Sequence, residues 1–126
     1  MMSNLAESWS RLWPRSAFTF DEMDAMVGCI SESNDVRKQV VFRREYYGHT
    51  VTWQGKVDAA SAIDVFVKFK QGKNNTNDFD VDLAAGQSGV NLENGDLVTL
   101  KFTIASLGGC STLYHGEGGV ILASQQ

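Results

Sequence analysis

The chain of 126 residues has about the length of one domain, and 43% hydrophobic with 21% charged residues is an ordinary globular composition. A net charge of −4 argues against a general nucleic-acid coat protein, and no apolar run is long enough for a transmembrane helix or resembles a secretory signal. Two cysteines, Cys29 and Cys110, are too few for a disulfide scaffold. We expect separate thiols, with one bridge in an oxidising compartment as the open alternative.

The first predicted element is a short amphipathic helix that Pro14 ends. Its apolar face consists of Leu5, Trp9, Leu12 and Trp13. Because two tryptophans are more apolar area than so short a helix needs, we expect Trp9 and Trp13 to contact a partner or the body of the chain. Packing within the chain is favoured, which predicts a monomer, and a homodimer stays open. We assign residues 1–17 to this helix and residues 18–126 to the main domain.

Two further helices are predicted before the first strand. Thr19 and Glu22 have the spacing of a capping box, which marks the start of one helix. Its predicted buried stripe consists of Met23, Met26, Val27 and Ile30. Residues 35–47 are ambiguous, because the run 40–42 is typical of a strand, whereas Val36, Val40 and Tyr47 recur at helical intervals before Gly48. We predict a helix there.

After Gly48 the apolar period changes to two, which predicts five strands with one buried face each. The strands cover 51–57, 63–70, 78–83, 98–104 and 120–122. This order predicts a mainly β fold, a five-stranded Greek-key barrel of the oligonucleotide/oligosaccharide-binding (OB) type preceded by two or three helices. A sandwich or half-barrel stays open. The expected core is Val51, Trp53, Val65, Val67, Val81, Leu100, Phe102 and Ile104.

The sharpest charged motif is Asp78, Asp80 and Asp82, whose alternate spacing on a strand points three carboxylates one way. Carboxylate oxygens can hold a divalent cation, but Leu83 and Gly89 stand where a calcium loop needs glycine and glutamate. We therefore interpret the motif as a solvated strand face and predict no metal site.

Nothing in the sequence predicts an enzyme or a cofactor site. The glycine-rich stretch 108–119 is interpreted as a flexible connection, and it matches no phosphate-binding loop. His115 and Glu117 within it would form an acid–base pair only if a cleft gathered them. No nucleophile or metal-ligand motif accompanies them, so we predict no catalytic residues.

A possible ligand surface lies on the second predicted strand. Phe66 shares the outer face with Lys68 and Lys70, and Lys56 lies on the preceding strand. OB barrels use such a face to stack bases and to track phosphates, so these four residues predict a binding site for single-stranded nucleic acid. The alternative is that one of the helices covers Phe66.

Three segments resemble the C-terminal OB region of the wolframin family. They are F-T-F-D-E-M-D-A-M-V-G-C (18–29), V-T-W-Q-G-K-V (51–57) and N-L-E-N-G-D-L-V-T-L-K-F-T-I-A-S-L-G-G (91–109). A second resemblance is to bacterial anticodon-binding-like single OB domains. The first implies a non-catalytic module, which that family places in the lumen of the endoplasmic reticulum. The chain lacks most cysteines of that region, so the resemblance carries no disulfide network.

Together these observations predict a non-catalytic OB-fold binding module, with a protein-interaction or scaffold role as the leading hypothesis. Single-stranded nucleic-acid binding is the alternative. The compartment stays open, and the lumen of the endoplasmic reticulum applies only if the chain is an excised wolframin-like domain.

Overall fold

The computed structural model describes residues 18–69 and 78–126. The elements are helices α1 (Phe20–Val27) and α2 (Asp35–Glu45) and strands β1 (Thr50–Ala60), β2 (Asp64–Lys68), β3 (Phe79–Leu83), β4 (Leu97–Ser106) and β5 (Tyr114–Gln125). The predicted N-terminal helix, with Trp9 and Trp13, and Lys70 lie outside the described residues. Neither of the two helices is long and apolar enough to cross a membrane.

The five strands close into a barrel in the order β1-β2-β3-β5-β4, with β4 returning to β1. The strands pair antiparallel except for β3 and β5, which run parallel. A mainly β fold with a five-stranded barrel after two helices is therefore confirmed, and it is consistent with an OB-like barrel. The closed barrel rules out the sandwich and the half-barrel.

The barrel interior contains every residue that the period-two pattern predicts for the core. The set Val51, Trp53, Val65, Val67, Val81, Leu100, Phe102 and Ile104 is buried. Gly55 faces inward in the middle of β1, where a Cβ would lie 2.5 Å from the Lys68 carbonyl oxygen and 2.7 Å from the Phe69 ring. Because only glycine leaves that space, β1 can approach the end of β2 closely.

Helix α1 covers one end of the aromatic core. Its capping box is present, with Thr19 Oγ1 accepting from the Glu22 amide at 3.1 Å and Glu22 Oε1 accepting from the Thr19 amide at 2.8 Å. Phe20, Met23 and Val27 are buried. The predicted burial of Met26 and Ile30 is wrong, because α1 has only eight residues and turns a single face toward the barrel.

Six aromatic rings fill the region beneath α1. They are Phe20, Trp53, Phe69, Phe79, Phe102 and Tyr114, with neighbouring centroids 5.1–6.2 Å apart and mostly edge-on. The two polar groups of this cluster have partners. Trp53 Nε1 donates to the Phe18 carbonyl oxygen at 3.3 Å, and Tyr114 Oη donates to Asp24 Oδ1 at 2.9 Å. Burial, followed by the negative charge of Asp24, raises the pKa of the Tyr114 hydroxyl.

The last strand is much longer than the sequence pattern predicts. The glycine-rich segment that we interpreted as a flexible connection contains the first half of β5, so that interpretation is wrong for 114–119. Gly116 lies against the Phe102 ring, where any Cβ would collide with ring carbons. A glycine therefore occupies this inward position, and the apolar alternation that reveals other strands is missing.

Cys29 and Cys110 form a disulfide, so the expectation of separate thiols is wrong. The bond joins the residue after the α1 cap to the loop between β4 and β5, and the two Cα atoms are 4.6 Å apart. The partners are separated by 81 residues in sequence, so only the packing of α1 on the barrel brings them together.

Candidate functional site

Charged side chains from three adjacent strands meet on the outer face of the barrel. In the ladders, Asp64 on β2 lies opposite Asp82 on β3, and Phe66 lies opposite Asp80. On the other side of β3, Asp80 is in register with His115 of the parallel strand β5. We call Asp64, Asp80, Asp82 and His115 the aspartate–histidine cluster.

The imidazole of His115 lies between two carboxylates of this cluster. Its Nε2 is 3.2 Å from Asp82 Oδ2, and its Nδ1 is 4.0 Å from Asp80 Oδ2. One possible ligand atom from each of Asp80, Asp82 and His115 can be chosen so that all three lie within 4.8 Å of one another. Asp82 is exposed, whereas Asp80 and His115 are half-buried, so the cluster opens to solvent.

The surroundings of Asp80 mostly disfavour its charged form. Burial is the largest of the effects that raise the pKa of its carboxyl group. The charge of Asp64 raises the pKa further, as does a hydrogen bond that the protonated Asp80 donates to Asp64, and the charge of Asp82 adds to this. Only His115 acts in the opposite direction. Asp80 Oδ1 is buried, and no donor among the described residues reaches it. A buried oxygen without a donor is an unusual feature in a folded protein.

The third member of the predicted carboxylate motif has a different role. Asp78 precedes β3 and is buried, and its Oδ2 accepts from the Phe69 amide at 2.7 Å. The prediction of three carboxylates on one solvated face is therefore wrong for Asp78, which holds the end of β2 against the start of β3. In the described part of the chain, His115 forms its ion pairs with Asp80 and Asp82 and not with Glu117.

The residues predicted to bind nucleic acid are partly brought together. Lys56 on β1 lies directly opposite Lys68 on β2, and Phe66 is half-buried between Ala59 and Asp80 in the ladders. Lys70 falls in a range that the structure does not describe. The lysine pair thus borders the aspartate–histidine cluster, and the outer face carries both signs of charge.

A second exposed feature lies on α2. The buried anchor of this helix is Phe42, whereas Val36 is 75% and Val40 is 54% exposed, so the apolar side chains predicted at helical intervals face outward. A groove of about 530 Å³ runs along them. Its lining, which we call the α2 surface, consists of Val36, Gln39, Val40, Arg43 and Arg44.

His49 packs against an aromatic side chain. Its ring lies edge-on to Phe18 at a centroid distance of 5.9 Å, and Phe18 also contacts Tyr46 and Trp53.

Sequence reasoning grouped Asp80 with Asp82 in one motif but did not connect His115 with them. The missing step was the parallel pairing of β3 with β5, which brings His115 beside Asp80. A strand order of the OB type implies that β3 and β5 pair. If the glycine-rich segment around His115 had been recognised as a strand, that pairing would have placed His115 beside Asp80.

Compared with family models, with curated protein sequences and with solved structures, the chain shows no match in any of the three.

Proposed function

We propose that the chain is a non-catalytic protein-interaction module built on an OB-type Greek-key barrel. The strand order, in which β5 inserts between β3 and β4 and runs parallel to β3, supports the OB assignment. The observation that carries the interaction role is the α2 surface, where two valines are exposed beside two arginines. The closed barrel argues against docking through an edge strand.

The chemistry of the α2 surface defines the partner. Val36 and Val40 are one helical turn apart and present a continuous apolar strip. Arg43 and Arg44 continue it toward the helix end, and Arg37 lies on the same helix. An amphipathic helix with apolar anchors and acidic flanks fits such a strip, because its apolar face covers the valines and its carboxylates pair with the guanidinium groups.

The N-terminal segment belongs to the same proposal. Trp9 and Trp13 lie outside the described residues, and Phe18, which follows that segment, packs on Tyr46 at the end of α2 with ring centroids 4.8 Å apart. Phe18, the first described residue, therefore lies beside the C-terminal end of α2. We expect Trp9 and Trp13 to extend the surface that the partner contacts.

The test uses fluorescence anisotropy with the full chain and three labelled probes: an amphipathic peptide with leucines at helical spacing and glutamates elsewhere, the same peptide with lysines, and an oligothymidylate. We expect the acidic peptide to bind and the lysine peptide not to bind. Val40→Asp and Arg43→Glu should abolish binding. Ile63→Asp, at an equally exposed apolar position away from α2, is the matched control and should leave it unchanged.

Two further outcomes decide the alternatives. Oligothymidylate binding that is lost in Lys56→Glu and Lys68→Glu would favour the nucleic-acid hypothesis, with the salt dependence that phosphate contacts produce. In the double variant Trp9→Ala/Trp13→Ala, we expect weaker binding of the acidic peptide. Unchanged or stronger binding would refute the role of those two residues.

We also propose that the module works in an oxidising compartment. The Cys29–Cys110 disulfide supports this, because disulfides persist in secreted and lumenal proteins and are rare where thiols are kept reduced. The resemblance to the wolframin family agrees with a lumenal setting. Alkylation of the native protein before and after reduction, read by mass spectrometry, tests it: both cysteines should react only after reduction.

A further inference from the structure

We propose that the aspartate–histidine cluster binds a divalent transition-metal ion of the Zn²⁺ class on the outer face of the barrel. Asp80, Asp82 and His115 are the ligands, and Asp64 supports them. This inference goes beyond the protein-interaction role, since the cluster lies on β2, β3 and β5 and shares no residue with the α2 surface.

The three ligand groups are already close to the separation that coordination requires. Ligand atoms about 2.0–2.2 Å from a tetrahedral ion lie roughly 3.4 Å apart. His115 Nε2 and Asp82 Oδ2 are 3.2 Å apart, and one possible ligand atom from each of Asp80, Asp82 and His115 can be chosen so that all three lie within 4.8 Å of one another. Asp80 Oδ2 is 4.0 Å from Nδ1 of the ring whereas Asp82 Oδ2 is 3.2 Å from Nε2, so both the Asp80 carboxylate and the imidazole must turn toward a common point to complete a three-ligand site. Solvent can fill the remaining position because Asp82 is exposed.

The backbone holds these groups on a rigid support. Asp80 and Asp82 are alternate residues of β3, and His115 is fixed beside Asp80 by the parallel ladder with β5. Asp64 lies directly opposite Asp82, and its Oδ1 accepts from Ser61 Oγ at 2.6 Å. That hydrogen bond orients Asp64 in the way that outer-shell partners orient the carboxylates of metal sites.

Without a cation the arrangement is unfavourable, which is the independent reason to infer a ligand. Two like charges face each other across the β2–β3 ladder at Asp64 and Asp82. Asp80 Oδ1 is buried, and no donor in residues 18–69 and 78–126 reaches it, whereas a nearby cation would satisfy it. Among the described residues, the ion pairs of Asp80 and Asp82 come from His115 alone, so two carboxylates share one imidazole while Asp64 adds a third negative charge beside them.

The ligand set identifies the class of ion. Ca²⁺ and Mg²⁺ prefer oxygen ligands throughout, with six or more around Ca²⁺. An imidazole nitrogen combined with two carboxylates suits Zn²⁺, Co²⁺ and their neighbours, and Zn²⁺ accepts three protein ligands with water in the fourth position.

The experiment is isothermal titration of the full, metal-free chain with ZnCl₂, with CaCl₂ and MgCl₂ as comparison ions. We expect one Zn²⁺ per chain and much weaker binding of the other two. His115→Gln and Asp80→Asn should each weaken Zn²⁺ binding by about tenfold or more, because removing a ligand costs at least as much as removing an outer-shell partner. The matched controls are His49→Gln, the other histidine, and Glu117→Gln, an exposed carboxylate on β5; both should bind as the parent does.

A second readout separates coordination from general electrostatic attraction. Co²⁺ bound through an imidazole should give a visible absorption spectrum that His115→Gln loses and Glu117→Gln keeps. The thermal midpoint of metal-free Asp80→Asn should not lie below that of the parent, which shows that lost binding is not unfolding. Absence of stoichiometric Zn²⁺ binding, or binding that survives in both His115→Gln and Asp80→Asn, would overturn the proposal. Either result leaves peptide binding at the α2 surface untouched.

Discussion

The two faces of β3 differ sharply in how their side chains are satisfied. Toward the interior, Phe79 and Val81 are fully buried, and Phe79 contacts five other aromatic rings. Toward solvent, Asp80 and Asp82 share one imidazole and crowd against Asp64. Alternate residues of one five-residue strand thus contribute to a close-packed core and to an unfavourable charge cluster.

The interior side chains of β3 stabilise the fold, whereas its solvent-facing carboxylates do not. The interior aromatic contacts stabilise the barrel through burial and ring geometry. The aspartate–histidine cluster adds like-charge repulsion and a buried oxygen that no donor among the described residues reaches, so folding alone gives no reason for its presence. Side chains that oppose stability in a well-packed barrel are candidates for binding.

The largest expected loss of stability comes from removing an aromatic ring on the interior face of β3. Phe79→Ala should lower the free energy of unfolding by about 3–5 kcal/mol, because it leaves a cavity among five rings. Urea unfolding followed by tryptophan fluorescence measures this. The control on the same strand is Asp82→Ala, which should change stability by no more than about 0.5 kcal/mol. Equal losses in the two variants would contradict the distinction between the faces.

Removing the Cys29–Cys110 disulfide tests how strongly this bond holds α1 over the aromatic core. Cys29→Ser/Cys110→Ser should lower the free energy of unfolding by about 2–4 kcal/mol, since the bridge closes a long loop in the unfolded chain. A reductant should shift the urea midpoint of the parent by a similar amount and leave the double variant unchanged. A parent protein that is insensitive to reductant would contradict the expected role.

Tyr114→Phe removes the hydroxyl that donates a hydrogen bond to Asp24 beside the aromatic cluster. We expect a loss of about 1–2 kcal/mol, because the buried Asp24 loses the hydroxyl that donates to it. The pKa of Tyr114 is raised in the folded protein, so its contribution is complete below the ordinary tyrosine value near 10 and is lost as the pH rises further. Stability measured above pH 10 should therefore fall less steeply in the variant than in the parent.

The smallest expected change in stability comes from removing a charge on the solvent-facing side of β3. Asp80→Asn should raise the stability of the metal-free protein at pH 7 by about 0.5 kcal/mol, because it removes one of three crowded charges. The pKa of Asp80 is raised by burial, so the folded state holds its proton more tightly than the unfolded state does, and the parent loses stability as the pH rises through that pKa. The advantage of the variant should vanish in acid. Glu117→Gln should show no such pH dependence.

Strands β1 to β4 and their core faces could be predicted because each of these four strands keeps one consistent alternation. In β4, Val98, Leu100, Phe102 and Ile104 all turn inward, and the register with β1 follows from that pattern. The start of α1 was equally local, since Thr19 and Glu22 act within one turn. Local signals of this kind decide the element and its buried side without any knowledge of the partner strand.

The features that sequence reasoning missed all depend on distant neighbours. Gly116 gives no apolar signal, because its place in β5 is set by the ring of Phe102. Cys29 and Cys110 meet only after α1 packs on the barrel. The exposure of Val36 and Val40 could not be foreseen either, because helical spacing shows that residues share a face but not whether that face is covered.

The placement of β5 has a consequence for the order in which the chain can fold. This strand pairs with both β3 and β4, so the barrel cannot close before residues 114–125 are available. The ladder between β1 and β4 joins residues such as Val51 and Phe102, which lie far apart along the chain. Such non-local pairing is characteristic of domains that fold in milliseconds to seconds. On a ribosome, β3 and β4 would therefore expose unpaired edges until β5 emerges, and a chaperone that shields strand edges would act in that interval.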